Sequence, residues 1–471
     1  MPVGHGVAQG PLSIEDAQAP TPQKEGFLSA NRSDMAGLHW STFHNEKFAS
    51  AAVSALGGAR LQGRKRVEQT SQMPLEGIRV IDLTIWVQGP LASMMLADLG
   101  AEVIKVEKPG QGDFSRGVQS LFGRPQFLPN GRNLMFELAN RNKKAIGIDL
   151  RNPDGQQVFH RLVERSDALV TNLHPSALRE FRVDRETLLT INPQLIYAHA
   201  TGFGPRGPHA EDPCQDTVGM ARSGFMFNTP TADGSPTYPT GALSDILSGT
   251  LLGFGVLAAL LARERLGVTQ AVWSSQLSAM MWLQYYNVAQ YMNMGEDFDP
   301  YDRTTVANPL MNLYRCADGQ WIACGMAVAQ RFWPEFCKVM GLAELEHDPR
   351  FAGDKKRAAH RKELVALLDQ AFATQPRAHW EQLFREKGFW FSVVNRISDL
   401  PTDPQVTANE YLVELDTGLK TVSFPFTLEK TPVPLKQGAP NFSQHTDEIL
   451  QRVCGYTLEE ILALKAKEVA W

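Results

Sequence analysis

Gly77-Ile-Arg-Val-Ile-Asp-Leu83, Pro90-Leu-Ala-Ser-Met-Met-Leu-Ala-Asp-Leu99 and Ala101-Glu-Val-Ile-Lys-Val106 decide the fold. The first and third stretches are short apolar runs rich in β-branched residues, which read as strands. The middle stretch has helical spacing and is stopped by Gly100. Strand, helix and strand within about thirty residues make a βαβ unit, so the two strands run parallel. The pattern then recurs. Residues 145–150 read as a strand, Asn152-Pro-Asp-Gly opens a helix through about Val163, and residues 168–172 and 195–200 are further strands. Such alternation predicts a large doubly wound, Rossmann-like α/β domain with a parallel sheet. Ligands of such sheets bind at the carboxyl ends of the strands. Residues 84–88, 107–112, 149–151 and 172–174 are therefore expected to rim one crevice.

The texture changes after about residue 290. Leu313-Tyr-Arg-Cys316 and Trp321-Ile-Ala-Cys324 flank an Asp-Gly turn and read as a hairpin. Helical spacing follows near 329–341, 360–373 and 378–387. The expected organisation is an extension over 1–74, a large α/β domain over 75–295, a smaller α+β domain over 300–405, and a segment over 406–471 returning to the large domain. That last segment carries two helices split at Gly455. The extension is rich in Ala, Gly, Ser, Gln and Pro, without a period. It reads as poorly ordered, with one short helix near 46–56, and its acidic residues argue against a transit peptide.

A chain of 471 residues suggests two domains, and 43% hydrophobic with 21% charged residues is ordinary for a globular enzyme. A net charge of -5 gives no reason to expect nucleic acid or an anionic membrane as a partner. Five cysteines, with no CxxC pair, fit a reducing compartment, the cytoplasm, and buried thiols. The most apolar region, 246–262, is interrupted by Ser248, Gly249, Thr250, Gly253 and Gly255, so no membrane span is expected.

Four features could carry chemistry. Gly202-Phe-Gly-Pro-Arg-Gly207 matches GxGxxG, yet its prolines keep it a turn, and a dinucleotide fingerprint must open a helix directly. Gly241-Ala-Leu-Ser-Asp245 precedes a long apolar helix over about 246–263. Asp245 then sits at or just before a helix N-terminus. Either it is an N-cap, or the same helix dipole and buried base hold a nucleophilic carboxylate, and composition alone does not choose. Gln88, in the loop after the first strand, is a candidate donor to an oxyanion. Lys105, Lys108, Arg141, Lys143, Lys144 and Arg151 cluster at strand ends, where they could cradle phosphates or form solvated surface charge. No HExxH, Walker A lysine, GxSxG elbow or metal-ligand spacing occurs, so no metal is expected.

Taken together the chain resembles the class III CoA-transferases, the group of formyl-CoA transferase and the carnitine CoA-transferases. The resemblance rests on Gly77 to Thr84, Gly89-Pro90, Leu96 to Glu107, Gly110-Gln-Gly-Asp113, Asn140 to Lys144, Asp149 to Gly155, Gly202 to Pro208, Ala317-Asp-Gly319 and His445-Thr-Asp-Glu448, in the family's order. It implies an interlocked homodimer acting on an acyl-CoA and a small carboxylic acid, with no permanently bound cofactor. It implies that Asp245, in the Gly-x-x-x-Asp-x-x-x-Gly context of Gly241 to Gly249, is the nucleophile. By the same matching Gln88 sits by the reacting thioester, and Gly89, Lys108, Ile148 to Arg151, Asn172 to His174, Gln215 and Asp216 fall where CoA is held.

The chain also departs from the pattern. Residues 300–310 lack the glycine run that covers the intermediate in formyl-CoA transferase. The basic residue expected after Leu178 is shifted to Arg179. The 2-methylacyl-CoA racemases of the same superfamily need a His and an Asp to move an α-proton. The position of that His is Gln215 here, which cannot take a proton, and this disfavours the racemase alternative. A CoA-ester binding protein without turnover is the other alternative.

Overall fold

The structure is a computed structural model that describes residues 73–471 except Thr229, Ala232, Phe298, Asp299, Pro434 and Lys436. The expected extension over 1–74, with its short helix near 46–56, thus lies almost wholly outside the described residues.

Six strands form the main sheet: β1 Arg79–Leu83, β2 Glu102–Glu107, β3 Lys144–Gly147, β4 Ala168–Thr171, β5 Ile196–Thr201 and β6 Val272–Ser275. Every pairing is parallel. The spatial order is β3-β2-β1-β4-β5-β6. This is the doubly wound order in which the chain direction reverses beside β1, opening a crevice at the carboxyl ends of β1 and β4. Five strands fall where the sequence puts them, within a residue or two at most ends. β6 has no counterpart in the sequence reading.

Strand residues alternate between two cores, as a sheet covered on both faces requires. Ile81, Ile104, Ile146 and Leu169 face one, with Val158 and Phe159 of the helix Pro153–Glu164. Ile449, Leu450, Ile461 and Leu464 complete that core from the C-terminal helices Thr446–Arg452 and Leu458–Ala466. Val80, Val103, Val170 and Ile196 face the other, against α1 (Gln88–Asp98) and α5 (Leu243–Leu266). In chain order the labelled helices between α1 and α5 are α2 (Leu134–Asn140), α3 (the Pro153–Glu164 helix) and α4 (Asp216–Arg222), with the short helices Pro175–Glu180 and Arg185–Ile191 left unlabelled. A third core runs from Leu310 to Phe389 around the antiparallel strands Leu313–Arg315, Trp321–Cys324 and Phe391–Val393. Tyr314 stacks on Phe372 there, with ring centroids 4.6 Å apart.

α5 is followed by α6 (Gln276–Leu283) and α7 (Tyr285–Met294). By length and composition α5 could cross a membrane, with a mean hydropathy of 1.9, although its serines and glycines had suggested otherwise. One face of α5 packs on α1 and the sheet through Ser244, Ser248, Gly249, Leu252, Gly253 and Val256. The other leaves Phe254 68% exposed, and Trp282 and Met292 beyond it are 64% and 74% exposed.

The contact between α1 and α5 is made at backbone distance. A Cβ on Gly249 would overlap the carbonyl oxygen of Gln88, and one on Gly253 would lie 3.3 Å from that of Ala92. Glycine is required for this approach. Gly249→Ala is expected to lower stability by about 1–3 kcal/mol, as overpacking does, and to separate Gln88 from the start of α5. Denaturant unfolding combined with a transfer assay checks both, and activity should fall further than stability.

Candidate active site

A cavity of about 680 Å³ opens at the carboxyl ends of β1, β4, β5 and β6. Its volume is ordinary for a small-molecule site. Trp86, Gln88, Asn172, His174, Asp245 and Gln276 are among its lining residues.

Asp245 is half-buried in the first turn of α5, two residues inside the helix. It is therefore not the N-cap that its sequence position suggested. Ala242 holds that position in a left-handed conformation (φ 54°) and offers no side chain to the helix amides. The cap is borrowed from α4. Oδ1 of Asp216 accepts from the backbone N–H groups of Ser244 (2.7 Å) and Asp245 (3.2 Å) and from the Ser244 hydroxyl (2.9 Å). Oδ2 of Asp216 is buried without a hydrogen-bond partner. Burial pushes the Asp245 carboxyl up to about 6, and the nearby Asp216 adds to the rise. Gln276 opposes it by donating to Oδ1 of Asp245 at 2.5 Å.

Gln276 is the first residue of α6, set at the end of β6 by a capping box on Ser275. Its Oε1 accepts from the thiol of Cys214 at 2.9 Å. Burial raises that thiol to about 11, so it stays protonated and able to donate. Gln88 lies across the cavity with its amide committed. Nε2 donates to the carbonyl of Thr201 (3.1 Å) and to the hydroxyl of Ser248 (2.9 Å). Ser248 in turn donates to the carbonyl of Ser244 at 2.5 Å. Gln88 and the turn that carries Asp245 thus form one hydrogen-bonded unit.

The loop after β1 is anchored from below by charges with no solvent access. Lys143 pairs with Asp82 (2.7 Å) and donates to the carbonyl of Pro90 (2.8 Å). Lys105 pairs with Asp113 (2.8 Å) and donates to the carbonyl of Thr84 (3.0 Å). Asp113 accepts from the N–H of Trp86 (3.2 Å), a residue at φ 67° whose indole stacks on Phe114. Such a left-handed residue costs on the order of 1–3 kcal/mol and persists only where its surroundings over-determine it. Burial would raise the Asp82 carboxyl, but Lys105 and Lys143 hold it at about 2.

Half of the expected basic cradle is therefore internal. Besides Lys105 and Lys143, Arg141 is buried against Asp98 (2.8 Å), and Lys144 bridges Glu102 and Glu448. Lys108 and Arg151 remain exposed, but neither lines the cavity. Of the four loops expected to rim one crevice, those after β1 and β4 do so, and those after β2 and β3 do not. Ile148 is buried in the core and bridged to Ala470, while the N–H of Asp149 is taken by the carbonyl of Val469. Gly89 is buried in α1. Asn172 lines the cavity while holding the backbone of Ile85 through both side-chain polar atoms. His174 caps a short helix and reaches the carbonyl of Glu211. Arg179, in an exposed pair with Glu211, does not line the cavity. Gln215 is exposed at the cavity, and Asp216 spends Oδ1 on α5. Gly202 to Gly207 is a turn that opens no helix directly. Trp86 and Phe122 line the cavity, whereas Trp282, Tyr285 and Tyr286 stand outside it.

The model of CoA-transferase family III matches residues 75–446. The chain belongs to that family. It is 32% identical over 398 residues to the succinyl-CoA:glutarate CoA-transferase of Mus musculus, covering 84% of this chain and 89% of the mouse protein. It is 31% identical to the succinyl-CoA–D-citramalate CoA-transferase of Chloroflexus aurantiacus, covering 85% and 99%. A solved structure from Mycobacterium tuberculosis superposes with a TM-score of 0.71 at 30% identity, covering 80% of this chain and 99% of that one. A CAIB/BAIF family protein from Brucella suis superposes with a TM-score of 0.70 at 28% identity, over 81% and 99%. The protein is an enzyme that transfers CoA, and its substrates are CoA thioesters and carboxylic acids.

The sequence reading of this CoA-transferase passed over Gln276, Cys214 and Ser248. Gln276 follows Val272-Trp-Ser-Ser275, a stretch too short and too polar to read as a strand by itself, so the sequence gives little signal for it. The sign of the Asp245 shift gives a stability test. Its carboxyl titrates higher in the folded state than its ordinary value of 3.8. Folding therefore favours the protonated form, and the charge costs stability above about pH 6 but not below about pH 4. Asp245→Asn is expected to raise the melting temperature near pH 8 and to leave it unchanged near pH 4.

Proposed function

We propose that this CoA-transferase works through covalent intermediates on Asp245. The carboxylate attacks the donor thioester carbonyl, forming a mixed anhydride and releasing CoA thiolate. The thiolate attacks the aspartyl carbonyl, forming an aspartyl-CoA thioester and freeing the donor acid. The acceptor carboxylate then enters, and the same two steps run in reverse. No metal or redox group takes part in these steps.

The observation that carries this reading is the setting of Asp245. One carboxylate stands in the first turn of a mostly apolar helix, on a cavity at the switch point of the sheet, with an amide donor on one oxygen. The helix amides favour its charge and burial opposes it. The balance leaves a carboxylate that ionises near neutrality and is less solvated than one on the surface. That state suits a nucleophile. Gln215, which has no proton to exchange in this range, supports transfer over racemisation.

Gln88 fits an oxyanion donor on condition that its amide leaves Thr201 or Ser248. The cavity residues Asn172, His174, Gln215 and Asp216 suit contacts to the pantetheine arm. The exposed Lys108 and Arg151 suit the phosphates, with Gly89 and Ile148 contributing through the shape of their segments. The relatives named above act on succinyl-CoA with glutarate or D-citramalate, and this enzyme is proposed to take an acyl-CoA and a small carboxylic acid in the same way. The apolar face of α5, α6 and α7 fits burial against a second copy, and we infer an interlocked homodimer in the cytoplasm.

Asp245→Ala is expected to lower transfer between succinyl-CoA and a panel of acids by about 10³-fold or more, with CoA-ester binding retained. In the wild type the rate should fall about tenfold per pH unit below pH 6, as the nucleophile protonates. Full activity in the alanine variant, or a flat acid limb, would contradict the proposal.

A further inference from the structure

We propose that Gln276 is a second catalytic residue: its side-chain amide holds Oδ1 of Asp245, leaves Oδ2 as the attacking oxygen, and stabilises the negative charge that forms on Oδ1 when CoA thiolate adds to Cγ. The inference rests on Asp245 being the nucleophile, and goes beyond it by assigning the two carboxylate oxygens and their stabiliser.

The two oxygens of Asp245 are not equivalent. Oδ1 receives Nε2 of Gln276, and among the described residues Oδ2 accepts no hydrogen bond. An oxygen lone pair tied to a donor is the poorer nucleophile, so Oδ2 attacks the donor carbonyl and becomes the bridging oxygen of the anhydride. Oδ1 remains as the carbonyl oxygen of the aspartyl group. In the next step the sulfur forms a bond to Cγ, and the C=O pair moves onto Oδ1. Collapse of that adduct breaks the bond from Cγ to the bridging oxygen, which leaves with the donor carboxylate. Oδ1 carries a full charge only in the tetrahedral adduct. A donor already at hydrogen-bond distance is therefore worth more there than in the anhydride, and this difference lowers the barrier.

Three contacts fix Gln276 for this work. Its position at the start of α6 is set by the capping box. Its stem fills the space that a Cβ on Gly219 would need. The ionised carboxylate of Asp245 can only accept, which orients the amide with Nε2 toward it, and the Cys214 thiol complements this by donating to Oε1. By contrast Gln88 has its donors spent on Thr201 and Ser248. Of the side-chain amides that line the cavity, those of Gln88, Asn172, Gln215 and Gln276, only that of Gln276 is hydrogen-bonded to Asp245 among the described residues.

The test uses full-length enzyme and two variants, Gln276→Leu and the isosteric Gln276→Glu. Each is mixed with succinyl-CoA, acetyl-CoA or benzoyl-CoA, quenched rapidly, and read by intact-protein mass spectrometry. That readout separates an acyl adduct, the anhydride, from a CoA adduct, the thioester. Gln276→Leu should let the acyl adduct accumulate at the expense of the CoA adduct and lower kcat by about 100-fold, with KM little changed. Gln276→Glu sets a second carboxylate against Asp245 and should move the acid limb of the rate up by about one pH unit or more. Should both variants keep wild-type adduct ratios, rates and acid limbs, or should KM alone change, the assignment of Gln276 fails while that of Asp245 stands. Asp245→Ala in parallel tells the two apart, since retained adducts in that variant would remove the nucleophile itself.

Discussion

The site depends on how closely α5 can approach α1. With glycine at 249, the backbone of α5 comes to van der Waals distance from the carbonyl of Gln88, and the hydroxyl of Ser248 reaches the Gln88 side chain. Asp245 lies one turn earlier on the same helix, so its place is set by the same contact. A helix dominated by large side chains could not come this near, which accounts for the small residues along the packed face of an otherwise apolar helix. The cavity is the space left beside this contact where the sheet order reverses.

Charge is arranged in two layers beneath and around that contact. The lower layer is the buried set of Asp82, Lys105, Lys143 and Asp113, which satisfies the carbonyls of Thr84 and Pro90 and holds Trp86 in its left-handed conformation. Fully buried ions are costly unless paired and hydrogen-bonded, and each of these ions has a partner. The upper layer is unbalanced by design of the chain. Asp216 caps α5 with one oxygen and faces Asp245 with a net negative charge, and no Lys or Arg lines the cavity among the described residues. The result is a carboxylate that burial, with Asp216 adding, pushes up to about 6 while a neutral amide, Gln276, meets it on one side. A cation in the place of Gln276 would hold the carboxylate charged but would make it a weaker nucleophile.

Much of this was legible in the sequence because parallel strands are buried on both faces and read as plain apolar runs. Residues 78–83, 101–106 and 168–172 announced the sheet, and Asp245 stood out by its place before an apolar helix. Four things were not legible. β6 is four residues long and carries Trp-Ser-Ser, so neither length nor apolarity marked it, and with it went Gln276. Lys105 alternates with apolar neighbours and Lys143 stands in the polar run Arg141-Asn-Lys-Lys144, both as surface lysines do, and only the tertiary structure turns them inward toward Asp82 and Asp113. Local spacing left Asp245 open between a cap and a nucleophile because the true cap comes from Asp216, 29 residues away in sequence, and local spacing carries no trace of such a loan. The loops after β2 and β3 were assigned to the crevice by the general rule for such sheets. The loop after β3 is taken by the C-terminal segment, whose Ala470 and Val469 pair with residues 148 and 149, and the loop after β2 turns back on itself, the N–H of Gly112 donating to the carbonyl of Lys108.

The central claim is that Asp245 becomes covalently bound during turnover. Incubation with acyl-CoA donors, a quench with hydroxylamine, and peptide mapping by mass spectrometry test it most directly. The account predicts a hydroxamate on Asp245 that appears only when donor is present. Full turnover with no hydroxamate on that residue, or a hydroxamate on another carboxylate, would contradict it.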